Sequence, residues 1–218
     1  TGDGQGDAAR PADFGPGLEY RDGTDWIAYQ ADTQVALDGT GTLLVRTAVA
    51  QDDVYEGQEA FLLNVTTLDG TMSTGTGVIF DDGTGTVFGE DGSEDTEATP
   101  DDDRPVFSVS PVTVSEGGKA FFTVTRTGAS DVEQTVKVST SVETGDTAEA
   151  GDFTSVTNQT LTFAAGVTTQ TFFVQTSADT TYEGLETFTV TLSDATGGAL
   201  ISTTAGTAQG TIAGDGSG

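Results

Sequence analysis

Apolar and polar residues alternate along most of this chain, and a period of two marks half-buried β-strands. The alternation is clearest in the second half, at Val106–Val109, Val112–Val114, Phe121–Arg126, Thr135–Thr140, Leu161–Phe163, Thr169–Gln175, Thr187–Ser193 and Gly206–Ile212. Turn formers separate the runs: Glu116-Gly117-Gly118, Gly128–Asp131, Gly151-Asp152, Ala165-Gly166 and Gly197-Gly198. About seven short strands in roughly 110 residues predict a β-sandwich with an immunoglobulin-like layout. The first half shows only the later part of that pattern. Asp13-Phe14 answers Asp152-Phe153, and Leu43–Val49, Ala60–Thr66 and Thr76–Phe80 answer the last three strands. An extra hairpin is expected from Leu18–Tyr20 with Trp26–Tyr29 around Asp22-Gly23. Nothing before Asp13 reads as the first two strands. The first module is therefore expected to be incomplete, either truncated or split by an inserted domain.

One acidic phrase occurs twice between matching strands. It runs Asp52-Asp53-Val54-Tyr55-Glu56-Gly57-Gln58-Glu59 and again Asp179-Thr180-Thr181-Tyr182-Glu183-Gly184-Leu185-Glu186. Each copy is expected to turn a β-hairpin and to gather carboxylates there. Clustered carboxylates repel, and oxygen-only donors suit a hard cation such as Ca²⁺. No short loop carries an EF-hand pattern, so ligands must converge from several loops. Isolated Asp22-Gly23 and Asp69-Gly70 read as plain turns. Trp26, Tyr20 and Tyr29 read as cross-strand packing rather than a sugar- or peptide-binding surface.

Charge narrows the function. The chain has 218 residues, with 35 acidic against 7 basic and a net charge of -28. It has no basic patch to neutralise phosphates, which argues against nucleic acid, and such acidity argues against anionic membranes. Without cysteine or histidine, disulfides, thiolate or imidazole zinc sites and Cys or His catalysis are excluded. No apolar run is long enough to span a membrane, so no direct insertion is expected. Paired carboxylates also serve glycosidases, but acids repeated in connections fit a cation better, and no enzyme is expected. Residues 84–105 read as an acidic linker between a partial module at 1–83 and a complete domain at 106–218. Composition alone would leave that linker disordered. With Ca²⁺, Asp101, Asp102 and Asp103 become candidate ligands where they meet Asp81 and Asp82.

The second half resembles the Calx-beta family from Val106 to Ile212. The resemblance rests on Val114-Ser115-Glu116-Gly117-Gly118, Ala150-Gly151-Asp152-Phe153, Leu161-Thr162-Phe163, Tyr182-Glu183-Gly184-Leu185-Glu186-Thr187-Phe188 and Gly210-Thr211-Ile212. The first half resembles its later strands through Asp13-Phe14, Tyr55–Glu59 and Gly77-Val78-Ile79-Phe80-Asp81-Asp82. The resemblance implies an all-β fold of tandem sandwiches, the first lacking its first two strands, with Ca²⁺ at one end of each. Carried across residue by residue, it implies ligands Glu116, Asp152, Asp179, Glu183, Glu186 and Asp215 in the second module. In the first it implies Asp13, Asp52, Asp53, Glu56, Glu59, Asp81 and Asp82. The family closes with two or three aspartates, whereas this chain has Ala213-Gly214-Asp215-Gly216, which implies a weaker distal site.

The linker, from its Asp81-Asp82-Gly83-Thr84-Gly85 start to its Ala98-Thr99-Pro100-Asp101-Asp102-Asp103-Arg104-Pro105 end, is similar to the joints of giant bacterial repeats-in-toxin adhesins. That similarity implies an extracellular, cell-surface extender in adhesion and biofilms, stiffened by Ca²⁺, whose partners are neighbouring repeats or an inserted domain. A glycan or peptide ligand would be met through adjoining domains. The alternative is a calcium-dependent scaffold for an inserted lectin-like or peptide-binding domain.

Overall fold

The computed structural model describes residues 7–9, 13–50, 52–81, 93–97 and 102–214. Among them every regular element is a strand, and no helix is long and apolar enough to cross a membrane. The chain divides into two compact units, one of residues 1–52 and 58–80, the other of 53–57 and 81–218.

Seven strands fall in the first half: β1 (Asp7–Ala8), β2 (Phe14–Asp22), β3 (Asp25–Ala28), β4 (Val45–Val49), β5 (Val54–Tyr55), β6 (Gly57–Thr66) and β7 (Met72–Asp81). All but β5 build the first unit, as two sheets of order β3-β2-β4 and β1-β6-β7. The expected extra hairpin is β2–β3, closed at Gly23 with φ of 62°. Its Trp26 is half-buried and lies 4.3 Å from the Arg46 guanidinium, and Arg46 pairs with Glu19 at 2.7 Å. This aromatic is used in packing. β1, which the alternation does not reveal, runs parallel to β6 with Asp7 opposite Glu59. Phe14 and Phe61 join the two sheets edge to face at 5.1 Å.

Ten strands follow: β8 (Val106–Val109), β9 (Val112–Ser115), β10 (Lys119–Thr127), β11 (Ala129–Ser130), β12 (Gln134–Ser141), β13 (Gln159–Phe163), β14 (Thr169–Gln175), β15 (Leu185–Ser193), β16 (Leu200–Ile201) and β17 (Thr207–Ala213). They form sheets of order β14-β10-β8-β16 and β13-β12-β15-β17-β9. The chain changes sheets between β8 and β9 at Ser110-Pro111, where proline has no N–H to offer a ladder. Between the sheets lie Phe107, Phe122, Val124, Val136, Val138, Phe163, Val174, Phe188 and Val190, all fully buried. β15 shows the pattern plainly, since Glu186, Phe188, Val190 and Leu192 are buried and the intervening residues are not. Segment 53–57 adds β5 alongside β11, with Tyr55 buried.

The repeated acidic phrase does not turn a hairpin. β14 and β15 lie in different sheets, and so do β4 and β6. The phrase is a crossover between facing sheets. Alternation defines the flanking strands equally well for a hairpin or a crossover. The connection from Thr176 to Gly184 is longer than the two to five residues usual for hairpins.

Both units share a device at the crossover's far end. Phe188 stacks on Phe153 at 4.4 Å and lies over Gly210, where a Cβ would come within 2.3 Å of the ring. Phe61 contacts Phe14 and lies over Gly77, where a Cβ would come within 2.2 Å. Only glycine leaves room for the ring on the neighbouring strand.

Candidate metal centre

In the second unit three loops and one strand end converge. The first loop is Ser115–Gly118, tied down by Glu116 N–H to Ala213 O at 3.1 Å and Gly117 N–H to Ser177 O at 2.9 Å. The second is Glu149–Asp152. Asp152 accepts the Glu149 N–H on its carboxylate, and its own carbonyl accepts Ser177 N–H at 2.7 Å. The third is the crossover. Asp179 N–H donates to Glu116 Oε1 at 2.7 Å, and Thr181 N–H donates to Asp179 Oδ1 at 2.6 Å. Gly184 closes it with φ of 82°, and its carbonyl accepts Gly214 N–H at 2.9 Å.

This framework places one carboxylate oxygen each of Asp152, Glu183 and Glu186 within 4.8 Å of one another. Glu186 occupies a core-facing position at the start of β15, only 8% exposed. A carboxylate there costs free energy unless something compensates its charge. Among the described residues no lysine or arginine forms an ion pair with Glu116, Glu149, Asp152, Asp179, Glu183 or Glu186. Burial, followed by the charges of Asp152 and Glu183, pushes the Glu186 carboxyl up to about 7. The same causes raise Glu183, with burial first and then Asp179, Asp152, Glu116 and Glu149. Hard oxygen donors, close spacing and uncompensated charge fit Ca²⁺, which accepts about six to eight oxygens in flexible geometry.

Glu149 is a residue that the sequence reading missed. Its charge acts on Glu183, and its place three residues before Asp152, in the turn closed by Asp152 N–H to Glu149 O at 3.3 Å, was the available signal.

The first unit repeats the core of this arrangement. Ala50 N–H donates to Asp13 O at 2.8 Å, as Ser177 does to Asp152. Phe14 faces Val49 as Phe153 faces Thr176. Asp13 is 8% and Glu59 2% exposed, with carboxylate oxygens within 4.8 Å of one another. They correspond to Asp152 and Glu186. Glu56, the counterpart of Glu183 in the repeated phrase, is half-buried and lies in segment 53–57 of the second unit, whereas Glu59 lies in β6.

The remaining candidates are placed differently. Asp52 and Asp53 are exposed. Asp102 has both oxygens engaged by Arg104, at 2.7 Å each, which competes with a metal. Asp103 is half-buried at the start of the second sandwich. Asp81 ends β7. Asp82, Asp101 and Asp215 lie outside the described residues, as does most of the linker.

The model of the Calx-beta domain matches residues 19–90 and 101–215. The crystal structure of the apo-form Calx CBD1 domain is 23% identical with a TM-score of 0.47, covering 51% of this chain and 98% of that one. CBD12 from CALX1.2 is 24% identical with a TM-score of 0.46, covering 50% of this chain and 44% of its own. The calcium binding domain CBD12 of CALX1.1 is also 24% identical, at 0.44, covering 49% and 43%. The chain thus spans less than half the length of the two CBD12 proteins. No curated protein sequence matches it.

Proposed function

Since this chain belongs to the Calx-beta domain family, we propose that it is a non-catalytic, calcium-binding β module whose rigidity depends on the ion. The carrying observation is Glu186, a buried carboxylate on the core face, set beside Asp152 and Glu183 with no cationic side chain paired to any of them among the described residues. In the second unit Asp152, Glu183 and Glu186 hold the ion, with Glu116, Asp179 and Glu149 around them. In the first unit Asp13 and Glu59 hold another. The bound ion supplies charge neutralisation and ties loops together, with no chemical step.

Magnitudes support a structural role. Two unit charges about 4 Å apart repel by roughly 1 kcal/mol even in water, and more near protein. An ion at about 100 times its dissociation constant adds roughly 2.7 kcal/mol of stability. Two such sites would match much of the stability of a small domain.

The wider reading is an extender segment of a secreted, surface-anchored bacterial adhesin, with modules at 1–83 and 106–218 and an acidic joint at 84–105. Its support is the acidity, the repeated site and the linker's composition. Its partners would then be neighbouring repeats. The strand edges of the first unit that stay unpaired among the described residues favour the second reading, a scaffold around an inserted ligand-binding domain. The direct test is thermal unfolding with millimolar Ca²⁺, with Mg²⁺ and with chelator. The proposal expects a large rise specific to Ca²⁺, of which the second unit's share is lost in Glu186→Gln. A wild-type midpoint indifferent to all three conditions would refute it, and turnover of a glycoside would revive the enzyme reading.

A further inference from the structure

The second unit shows which strand pairings the described residues of the first one lack. β4 corresponds to β14, because both bridge the residue after the site aspartate and both lead into the acidic crossover. In the second unit one side of β14 meets Phe153 and the other pairs with β10, which pairs in turn with β8. In the first unit β2 extends along the Phe14 side of β4, and β4 then ends its sheet. The edge that β10 occupies on β14 therefore has no strand on β4 among the described residues. The same holds for β7, the counterpart of β17. β17 pairs with β9, while β7 ends its sheet among the described residues. Both unpaired edges are those that one segment, β8 to β10, covers in the second unit.

The side chains beneath agree. Val65, at the position of Leu192, is 49% exposed where Leu192 is 5%. Val49 is 53% exposed where its counterpart Thr176 is 2%. Phe61 is half-buried where Phe188 is fully buried. These positions point toward a core that has lost one wall. Unpaired edges beside an apolar face are a template for an added strand.

We propose that the first unit accepts an amphipathic strand–turn–strand segment of the β8–β10 type. One strand lies along β7 and the other along β4, with apolar side chains at alternate positions facing Phe61 and Val65. Its turn carries a glutamate that reaches Asp13 and Glu59 as Glu116 reaches its site in the second unit. This last part rests on the calcium reading above, whereas the strand pairing does not.

The test uses the whole chain with a second copy of Val106–Thr127 joined ahead of Thr1 by a long flexible Gly/Ser linker, which supplies a high effective concentration. A control carries Phe122→Asp and Val124→Asp in the added copy alone. In chelator, amide exchange of Val45–Val49 and Met72–Asp81 should slow at least about tenfold. The unfolding midpoint reported by Trp26, the chain's single tryptophan, should rise by about 5 °C. The control should show neither effect. Unchanged exchange, or equal slowing in the control, overturns the proposal. So does concentration-dependent protection of these strands in the unextended chain, which would make a second copy the occupant. In Ca²⁺, Glu116→Gln in the added copy should remove part of the metal's effect on the Trp26 midpoint. Strand protection without any calcium response would instead overturn the calcium reading and leave the pairing intact.

Discussion

The two units are built on one plan and differ in what covers it. Each has an aspartate–phenylalanine pair, an acidic crossover, a core-facing glutamate and a phenylalanine lying over a glycine of the neighbouring strand. In the second unit these sit over a closed core in which Phe122, Val124 and Val174 are fully buried. In the first unit the buried side chains among the described residues are Asp13 and Glu59, and no apolar side chain is buried. The difference shows that the carboxylate cluster and the apolar core are separable parts of the fold. The crossover and its two anchors are enough to bring the site aspartate and glutamate together. The strand segment that leads into Glu116 is what seals the sandwich.

That comparison can be broken in several ways, taken from the largest expected effect to the smallest. Phe188→Ala should cost about 3–5 kcal/mol, as for a ring lost from a packed core. Phe61→Ala should cost less than half of that, because its surroundings are open. Equilibrium denaturation followed by Trp26 fluorescence and by amide exchange in β15 checks both. Equal costs would mean that the first unit has a closed core.

Glu186→Gln should have opposite effects with and without metal. In chelator it removes a buried charge held near two others, and should raise the second unit's unfolding midpoint by several degrees. In Ca²⁺ it should lower the midpoint by removing a ligand. Glu59→Gln should lower the calcium response reported by Trp26 in the same way.

The pH dependence should also change sign with metal. The folded Glu186 carboxyl sits at about 7 against an ordinary 4.5. Without metal its contribution to stability is complete below about 4.5 and is lost as pH rises through about 7. The metal-free second unit should therefore weaken between pH 5 and 8, whereas the calcium-loaded one should strengthen as protons stop competing for the ligands. Midpoints across that range, with chelator and with Ca²⁺, check it. The smallest effect is expected from Arg104→Ala. It frees Asp102 from an exposed ion pair worth at most about 1 kcal/mol, and the calcium midpoints should stay within experimental error.

The strands were legible because alternation records burial directly. Leu161–Phe163 and Thr169–Gln175 alternate because one face meets the core, and the structure places strands there. The connection between β14 and β15 was misread because nothing local separates a hairpin from a crossover; which sheet each strand joins is decided by distant partners. β1 and β11, two residues each, carry no periodicity at all. The candidate cluster was legible where acids repeat, at Glu56 and Glu59 and at Glu183 and Glu186. Asp13 and Asp152 needed the phenylalanine that follows each of them as a marker. Glu149 went unseen because it has no counterpart in the repeat. Asp102 reads as a ligand from charge alone, and the arginine two residues later claims it.

The measurement that tests the central claim most directly is a calcium titration of the wild-type chain and Glu186→Gln by calorimetry, paired with unfolding of each in Ca²⁺ and in chelator. The account predicts wild-type binding with a Ca²⁺-specific rise in midpoint. It predicts loss of the second unit's binding event in Glu186→Gln, together with a higher midpoint than wild type in chelator. Wild-type-like calcium binding in Glu186→Gln, with no gain in chelator, would contradict it.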